Sequence, residues 1–332
     1  MQITSLAKVA QRTKKIFRSV ALGGLIGVLT PVWFVTELVA RARSSRRVGV
    51  TTEIGKVRVD DIDLADLVAG DRPVIVQGLD SLIPFDHRPD LAGLRAIAAE
   101  EGATFPVKVH QGDRPYFLYV GDYGSELVRT EKMSLDQFLD HMFVSPPTDG
   151  TCTYRLFGTK TINGRIAHLI DEMATTLGAL TDRTPDRNAS GVWIGSAGVV
   201  TPMHHDAWTG LLFQFEGSKR VRMFAPSDRP NLHLSSPFKP TSRWSELPPR
   251  SHEADPAVFG RFERANPFVA QLDAGEALFI PPYWMHEVEA LEPNVSIPFR
   301  FGTRPVDYMN PGFLRPAVEV FHSKYLAGSA AS

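Results

Sequence analysis

The chain has 332 residues, 43% of them apolar, a net charge of −1 and one cysteine, Cys152. That length can bury a sizeable core in one large domain or two small ones. A lone cysteine excludes an intrachain disulfide and fits a reducing, cytoplasmic setting, and near-neutral charge gives no basis for nucleic-acid binding.

The neutrality hides an asymmetry. Residues 1–50 hold nine Lys and Arg against Glu37, a charge of +8, which leaves −9 for the rest. Inside this arm "SVALGGLIGVLTPVWFVT" (19–36) carries no charge, close to the roughly 20 apolar residues of a membrane span. Three readings stand side by side. The arm is a transmembrane or interfacial anchor whose basic flanks meet anionic lipid. It is a signal peptide with "ARA" (40–42) as cleavage site. Or it is a helix packed on the body or on the second subunit of a homodimer. Membrane contact is thus expected, if anywhere, through residues 1–48.

Residues 51–190 alternate strand and helix signals. "RPVIVQGL" (72–79) reads as a buried strand between Gly70 and Gly78, and "DLAGLRAIAAEEG" (90–102) as a helix stopped by Gly102. "FPVKVHQG" and "YFLYVGDYG" read as short strands. "SLDQFLDHMF" (134–143) has a serine N-cap with Leu135, Phe138 and Leu139 on one face, a helix. "TYRLFG" (153–158) is strand-like and "RIAHLIDEMATTLGAL" (165–180) an amphipathic helix. Residues 191–305 change character: "VWIGSAGVV", "GLLFQFEG", "SKRVRMFAP", "EALFIPP", "HEVEAL" and "NVSIPFRFG" are short strands separated by Gly, Pro and Asn. Such spacing predicts a small barrel or two-sheet jelly roll. The Pro-, Ser- and Arg-rich stretch 227–266 is expected as a long insertion over one end of it, and 306–332 as a C-terminal segment.

Within "TPMHHDAWTG" (201–210), strand alternation puts His204 and Asp206 on one face and His205 on the other. One imidazole and one carboxylate are two-thirds of a 2-His-1-carboxylate facial triad, which holds Fe(II) and leaves coordination positions open. A distant strand must supply the third ligand, and "FIPPYWMHEVEAL" offers His286, on the face of Val288 and Ala290. Lys219 follows the "EGS" hairpin turn (216–218) and alternates with Val221 and Met223. A lysine on an apolar, inward face calls for an anionic partner, because burying an unpaired ammonium is costly; a bound carboxylate would meet that need.

"GSAGVVTPMHHDAWTGLLFQFEGSKRVRMFAP" together with "LDAGEALFIPPYWMHEV" resembles the cupin-like branch of the JmjC-type Fe(II)/2-oxoglutarate oxygenases, to which factor inhibiting hypoxia-inducible factor is related. The resemblance spans about residues 70–302. It implies a mainly β fold, a double-stranded β-helix (jelly roll) with flanking helices. It implies His204, Asp206 and His286 as iron ligands, Lys219 and Thr201 as partners of the distal carboxylate of 2-oxoglutarate, and Tyr154 as a further cosubstrate contact. Arg300 falls near an asparagine of the related protein and would offer a second cation to a carboxylate. Gly210 replaces another asparagine, His205 a frequent tyrosine, and "LDAGE" the usual P-G-D, while Trp284 is left as a candidate pocket wall. The implied activity is hydroxylation of an unactivated C–H of a protein side chain or small molecule, with O2 and 2-oxoglutarate consumed and succinate and CO2 released. The alternatives are a non-catalytic cupin scaffold, for which Lys219 has no use, and a metal-dependent cupin enzyme that does not use 2-oxoglutarate.

Overall fold

The computed structural model describes residues 49–83, 88–100, 104–110, 128–144, 152–158, 164–236, 239 and 241–302, besides the isolated positions Gly24, Gly27, Pro31 and Val35. The basic arm, "YFLYVGDYG" and segment 306–332 therefore lie outside the described residues, apart from those four positions. Among the described residues no helix is long and apolar enough to cross a membrane.

Among the described residues the strands form two sheets. One has five strands: β1 (Thr52–Glu53), β11 (Phe268–Leu272), β10 (Lys219–Phe224), β13 (Met285–Ala290) and β8 (Val200–His204), in that spatial order. The other has nine: β2 (Lys56–Arg58), β3 (Val74–Gln77), β12 (Glu276–Ile280), β9 (Thr209–Glu216), β14 (Asn294–Phe301), β7 (Gly191–Gly195), β6 (Cys152–Gly158), β4 (Thr104–His110) and β5 (Val128–Ser134). Helices α1 (Leu64–Ala69), α2 (Leu91–Glu100), α3 (Leu135–Leu139) and α4 (Arg165–Thr181) flank the larger sheet. This is the mainly β jelly roll with flanking helices that the sequence predicts.

Alternation explains why several strands are apolar on both faces. In β9, Leu211, Phe213 and Phe215 join the core between the large sheet and the helices, whereas Leu212 faces the space between the sheets. In β12, Ala277 and Phe279 take the helix side, Leu278 and Ile280 the inter-sheet side. In β14, Val295, Ile297, Phe299 and Phe301 pack in the helix-side core, which turns Ser296, Pro298 and Arg300 inward. The inter-sheet layer is apolar at one end, with Val221, Met223, Leu272 and Trp284, and polar at the other, where the site lies.

The local signals are chemical. Ser134 caps α3, accepting from the Gln137 amide while the Gln137 side chain accepts from the Ser134 amide. The β9–β10 hairpin turns at Gly217, whose φ is +66° and where an added Cβ would come within 2.2 Å of the Pro293 carbonyl oxygen; glycine alone fits both demands.

Among its described residues, segment 227–266 has one short α-helix, α5 (Pro256–Phe259), together with short 3-10 helices and tight turns. It packs Leu232, Leu247 and Ala265 against Met203, Phe224 and Met285 on the outer side of the five-stranded sheet. It also covers the open edge of β8: Trp244 pairs with His204 in a single antiparallel bridge, and the Ser245 amide donates to the Met203 carbonyl at 2.9 Å.

Candidate metal centre and cavity

The strands β8 and β13 lie antiparallel with His204 directly opposite His286, so the two imidazoles project inward together, ring centroids 4.3 Å apart. β8 ends at His204, and Asp206 follows in irregular chain whose carbonyl accepts from the Tyr283 amide at 2.8 Å. One donor atom from each of His204, Asp206 and His286 lies within 4.8 Å of the others. The structure thus brings together the three residues that strand spacing and resemblance single out.

Both histidines are oriented in the same way. His204 Nδ1 donates to the Pro202 carbonyl at 2.9 Å and His286 Nδ1 to the Trp284 carbonyl at 3.0 Å. A carbonyl only accepts, so each Nδ1 carries the proton and each Nε2 presents a lone pair. Burial pushes His204 down to about 3, helped by the neighbouring His286. Burial likewise lowers His286, with Asp206 opposing. Both rings are therefore neutral at physiological pH, the state a metal requires.

Asp206 is held by two arginines. Its Oδ1 accepts from Arg243 Nη1 at 2.6 Å and its Oδ2 from Arg300 Nε at 3.1 Å. Burial works against the charged carboxylate, but Arg300 and then Arg243 keep it well below the usual range. Each carboxylate oxygen has two lone pairs, so an arginine on one leaves the other for a metal. Two neutral imidazoles and one ionised carboxylate on one side of an open cavity fit Fe(II).

Lys219 starts β10 and is buried, on the inward face with Val221 and Met223, while Arg220 is exposed. Its Nζ donates to Ser296 Oγ at 2.5 Å, and burial alone lowers it from 10.5 to about 7. The cavity of about 370 Å³ between the sheets is lined by His204, Asp206, His286, Lys219, Thr201 and Arg300 together with Trp193, Trp208, Arg243 and Trp244.

The remaining candidates fall differently. Arg300 does meet a carboxylate, but it is that of Asp206 in the candidate metal cluster. Tyr154 lies in β6 opposite Lys108 and Gly195; its side chain lies outside the described features. Trp284 is not a wall of the cavity. Its indole Nε1 donates to the Asp71 carbonyl at 3.0 Å and its ring meets Phe268 edge-on at 5.1 Å, in the apolar end of the inter-sheet layer. The ring on the site is instead Trp244, stacked on His204 with centroids 4.5 Å apart. Sequence reasoning placed Trp244 only in the insertion over one end of the barrel, with no part at the metal, and missed Arg243 and Ser296. Only for Ser296 was there a signal, a polar residue at an inward position of β14. His205 turns away from the cavity, buried, its ring 5.9 Å from that of Tyr283.

Comparison with known proteins agrees with this architecture. The cupin-like domain family matches residues 60–305. HSPB1-associated protein 1 of Mus musculus is 38% identical over 118 residues, 34% of this chain and 24% of that protein. Jumonji C domain-containing protein 5 of Drosophila melanogaster is 26% identical over 193 residues, 57% of this chain and 47% of that protein. JmjC domain-containing protein C of Dictyostelium discoideum is 35% identical over 127 residues, 35% of this chain and 29% of that protein. The chain spans between a quarter and a half of the length of these relatives. With the family match covering most of its length and JmjC proteins among its relatives, the chain belongs to the cupin-like, JmjC-type family.

Proposed function

We propose that the protein is an Fe(II)- and 2-oxoglutarate-dependent oxygenase that hydroxylates an unactivated C–H of a protein side chain or small molecule. The observation that carries this reading is Lys219. A buried amine lining the same cavity as a His-Asp-His cluster has no role in a scaffold or in a metal site that needs no cosubstrate, but it suits the far carboxylate of a dicarboxylic acid. When bound, ferrous iron would supply the oxidative chemistry that couples decarboxylation of 2-oxoglutarate by O2 to hydroxylation.

The chain's own residues do the rest. His204, Asp206 and His286 would hold the metal from one side. Lys219, with Thr201 beside it on the cavity wall, would anchor the distal carboxylate and keep the keto acid from rotating. Ser296 orients the ammonium. Trp244 and the rest of the 227–266 segment keep bulk water from the metal face, so that the oxidant meets only its substrate. The name of HSPB1-associated protein 1 speaks of a protein partner for that relative and is a reason to look for one here. We assign the chain to the cytoplasm, with residues 1–48 against an anionic membrane surface; fractionation of cells expressing the chain with and without those residues tests this, and purely soluble full-length protein refutes it.

The experiment for the activity is succinate release from 2-oxoglutarate by the iron-loaded protein without added substrate, beside thermal unfolding. Fe(II) with 2-oxoglutarate should raise Tm by mass action, and succinate should form with wild type and vanish in Asp206→Ala. If reduced, anaerobically loaded protein does neither, the reading fails.

A further inference from the structure

Among the described residues that line the cavity, all but one are buried or half-buried, the metal cluster and Lys219 included. The exception is Trp208, which lines the cavity and is 39% exposed. Its ring borders both the cavity and solvent and so marks the mouth. Trp208 lies two residues past Asp206, a reach of at most about 7 Å between Cα atoms, so the mouth opens beside the metal cluster. A molecule entering there passes Trp208 on its way to the metal.

The indole is held out at this mouth on a fixed backbone. Ala207 and Thr209 on either side of it are buried. The Asp206 carbonyl accepts from the Tyr283 amide at 2.8 Å, and Thr209 starts β9 opposite Phe301 of β14. Among the described residues no ring stacks on Trp208, whereas Trp244 lies on His204 and Trp284 meets Phe268. The same cavity is lined by Leu212, Ile280 and Pro298, so the wall that continues inward from the indole is largely hydrocarbon. A large flat ring on a rigid support gains most from a partner that takes apolar area out of water, and tryptophan is among the residues most often found as a binding anchor.

We propose that Trp208 is the substrate-contacting residue that sets specificity, and that the molecule oxidised here presents a neutral hydrocarbon group, a ring or a branched chain, to its indole. The proposal deepens the oxygenase reading and rests on it for calling that molecule the substrate; the contact at Trp208 does not. Free small molecules and peptide side chains both carry such groups, and the test separates them.

The full-length protein is made with 5-fluorotryptophan at its five tryptophans, loaded with diamagnetic, redox-inert Zn(II) and saturated with 2-oxoglutarate. In fluorine NMR the Trp208 line is the one missing from Trp208→Phe. Two neutral apolar probes are titrated, 3-phenylpropanol and N-acetylphenylalaninamide, beside glycerol and N-acetylglycinamide, which lack the hydrocarbon. Choline is added as a fifth probe, because a cation over the indole is the rival contact. At least one apolar probe should shift the Trp208 line saturably while its polar counterpart and choline do not, and the tighter of the two tells a free molecule from a side chain. By calorimetry Trp208→Ala should weaken that probe about tenfold or more, and Trp208→Phe, which keeps a ring, by less. The proposal is overturned if neither apolar probe moves the line, if glycerol or choline moves it equally, or if Trp208→Ala binds the probe as wild type does. It is also overturned if Zn(II) affinity falls in step with probe affinity, since Trp208 would then support the metal centre instead of the substrate. If Trp208→Ala does not fold, the wild-type line and Trp208→Phe decide. Zn(II) and 2-oxoglutarate affinities are measured on the same samples. Their absence in wild type sinks the oxygenase reading alone, and the titrations repeated on metal-free protein then judge the Trp208 contact by itself.

Discussion

Raising the pH isolates the contribution of Lys219 to cosubstrate binding. In the folded protein burial holds this amine at about 7 instead of 10.5. A carboxylate beside it favours the charged form, so its value in the complex rises back toward the ordinary one. Below pH 7 the amine is already charged and binding needs no proton. Above pH 7 each 2-oxoglutarate must bring one, and affinity falls about tenfold per pH unit until the bound-state value is reached. Between pH 7 and pH 9 Kd should weaken about 50-fold, about 2.3 kcal/mol. At pH 8 about 0.9 proton should be taken up per ligand. His204 and His286 stay neutral over this window because burial lowers both, so the signal belongs to the lysine. The assay is calorimetric titration of 2-oxoglutarate into Mn(II)-loaded protein in buffers of different ionisation enthalpy. Lys219→Arg, charged throughout, should give a flat profile. Constant wild-type affinity from pH 7 to 9 with no proton uptake would falsify the assignment of the ammonium as the carboxylate's partner.

Removing the same amine should stabilise the empty protein. The folded state depresses Lys219, so the unfolded chain holds a proton the folded one lacks, and wild-type stability should climb between pH 7 and about pH 10. Lys219→Met should raise the stability of metal-free protein at neutral pH by about 1–4 kcal/mol in denaturant titrations, while abolishing 2-oxoglutarate binding. Asp206→Ala should cost about 3–5 kcal/mol, since it leaves Arg243 and Arg300 without their shared carboxylate; an unchanged denaturation midpoint would show that the arginines find water instead. Trp244→Ala should weaken Mn(II) binding, followed by paramagnetic titration, by no more than about tenfold, because the stack on His204 is worth about 0.5–1.5 kcal/mol. Gly217→Ala should lower Tm through strain of about 1–3 kcal/mol at its positive φ, and wild-type Tm in that variant would mean the hairpin turn relaxes freely.

The parts legible in the sequence were those governed by period-two alternation. Lys219 with Val221 and Met223, and His286 with Val288, could be assigned a face without knowing the partner strands, because burial on one face leaves no other register. The strands β5 and β11 escaped notice for the opposite reason. "VRTEKMS" is mostly polar and "FVAQL" too short to show a period, and both owe their conformation to neighbours. The family resemblance offers Trp284 as a pocket wall but does not fix where its ring points. Tyr283 has φ +63°, so the chain turns there, and the indole reaches the Asp71 carbonyl rather than the cavity. Arg243 and Trp244 sit in a segment without periodicity, 37 and 40 residues from the groups they meet. No local rule predicts such a contact; it follows from how the long insertion lies along the edge of β8.

That placement changes what the metal site depends on. The two histidines are self-sufficient: each lies in a β-strand and is oriented by a carbonyl two residues back in its own chain. Asp206 has neither advantage. It lies beyond the end of β8, and its position is set by three separate segments: the Tyr283 amide on its carbonyl, Arg300 of β14 on one carboxylate oxygen, and Arg243 of the insertion on the other. The Arg243 carbonyl in turn accepts from the His205 amide, and Trp244 lies flat against His204. Lifting of the insertion from β8 would therefore release one oxygen of the Asp206 carboxylate and uncover the His204 imidazole. The carboxylate and the His204 ring of the candidate metal site thus both depend on adjacent residues of one segment, Arg243 and Trp244.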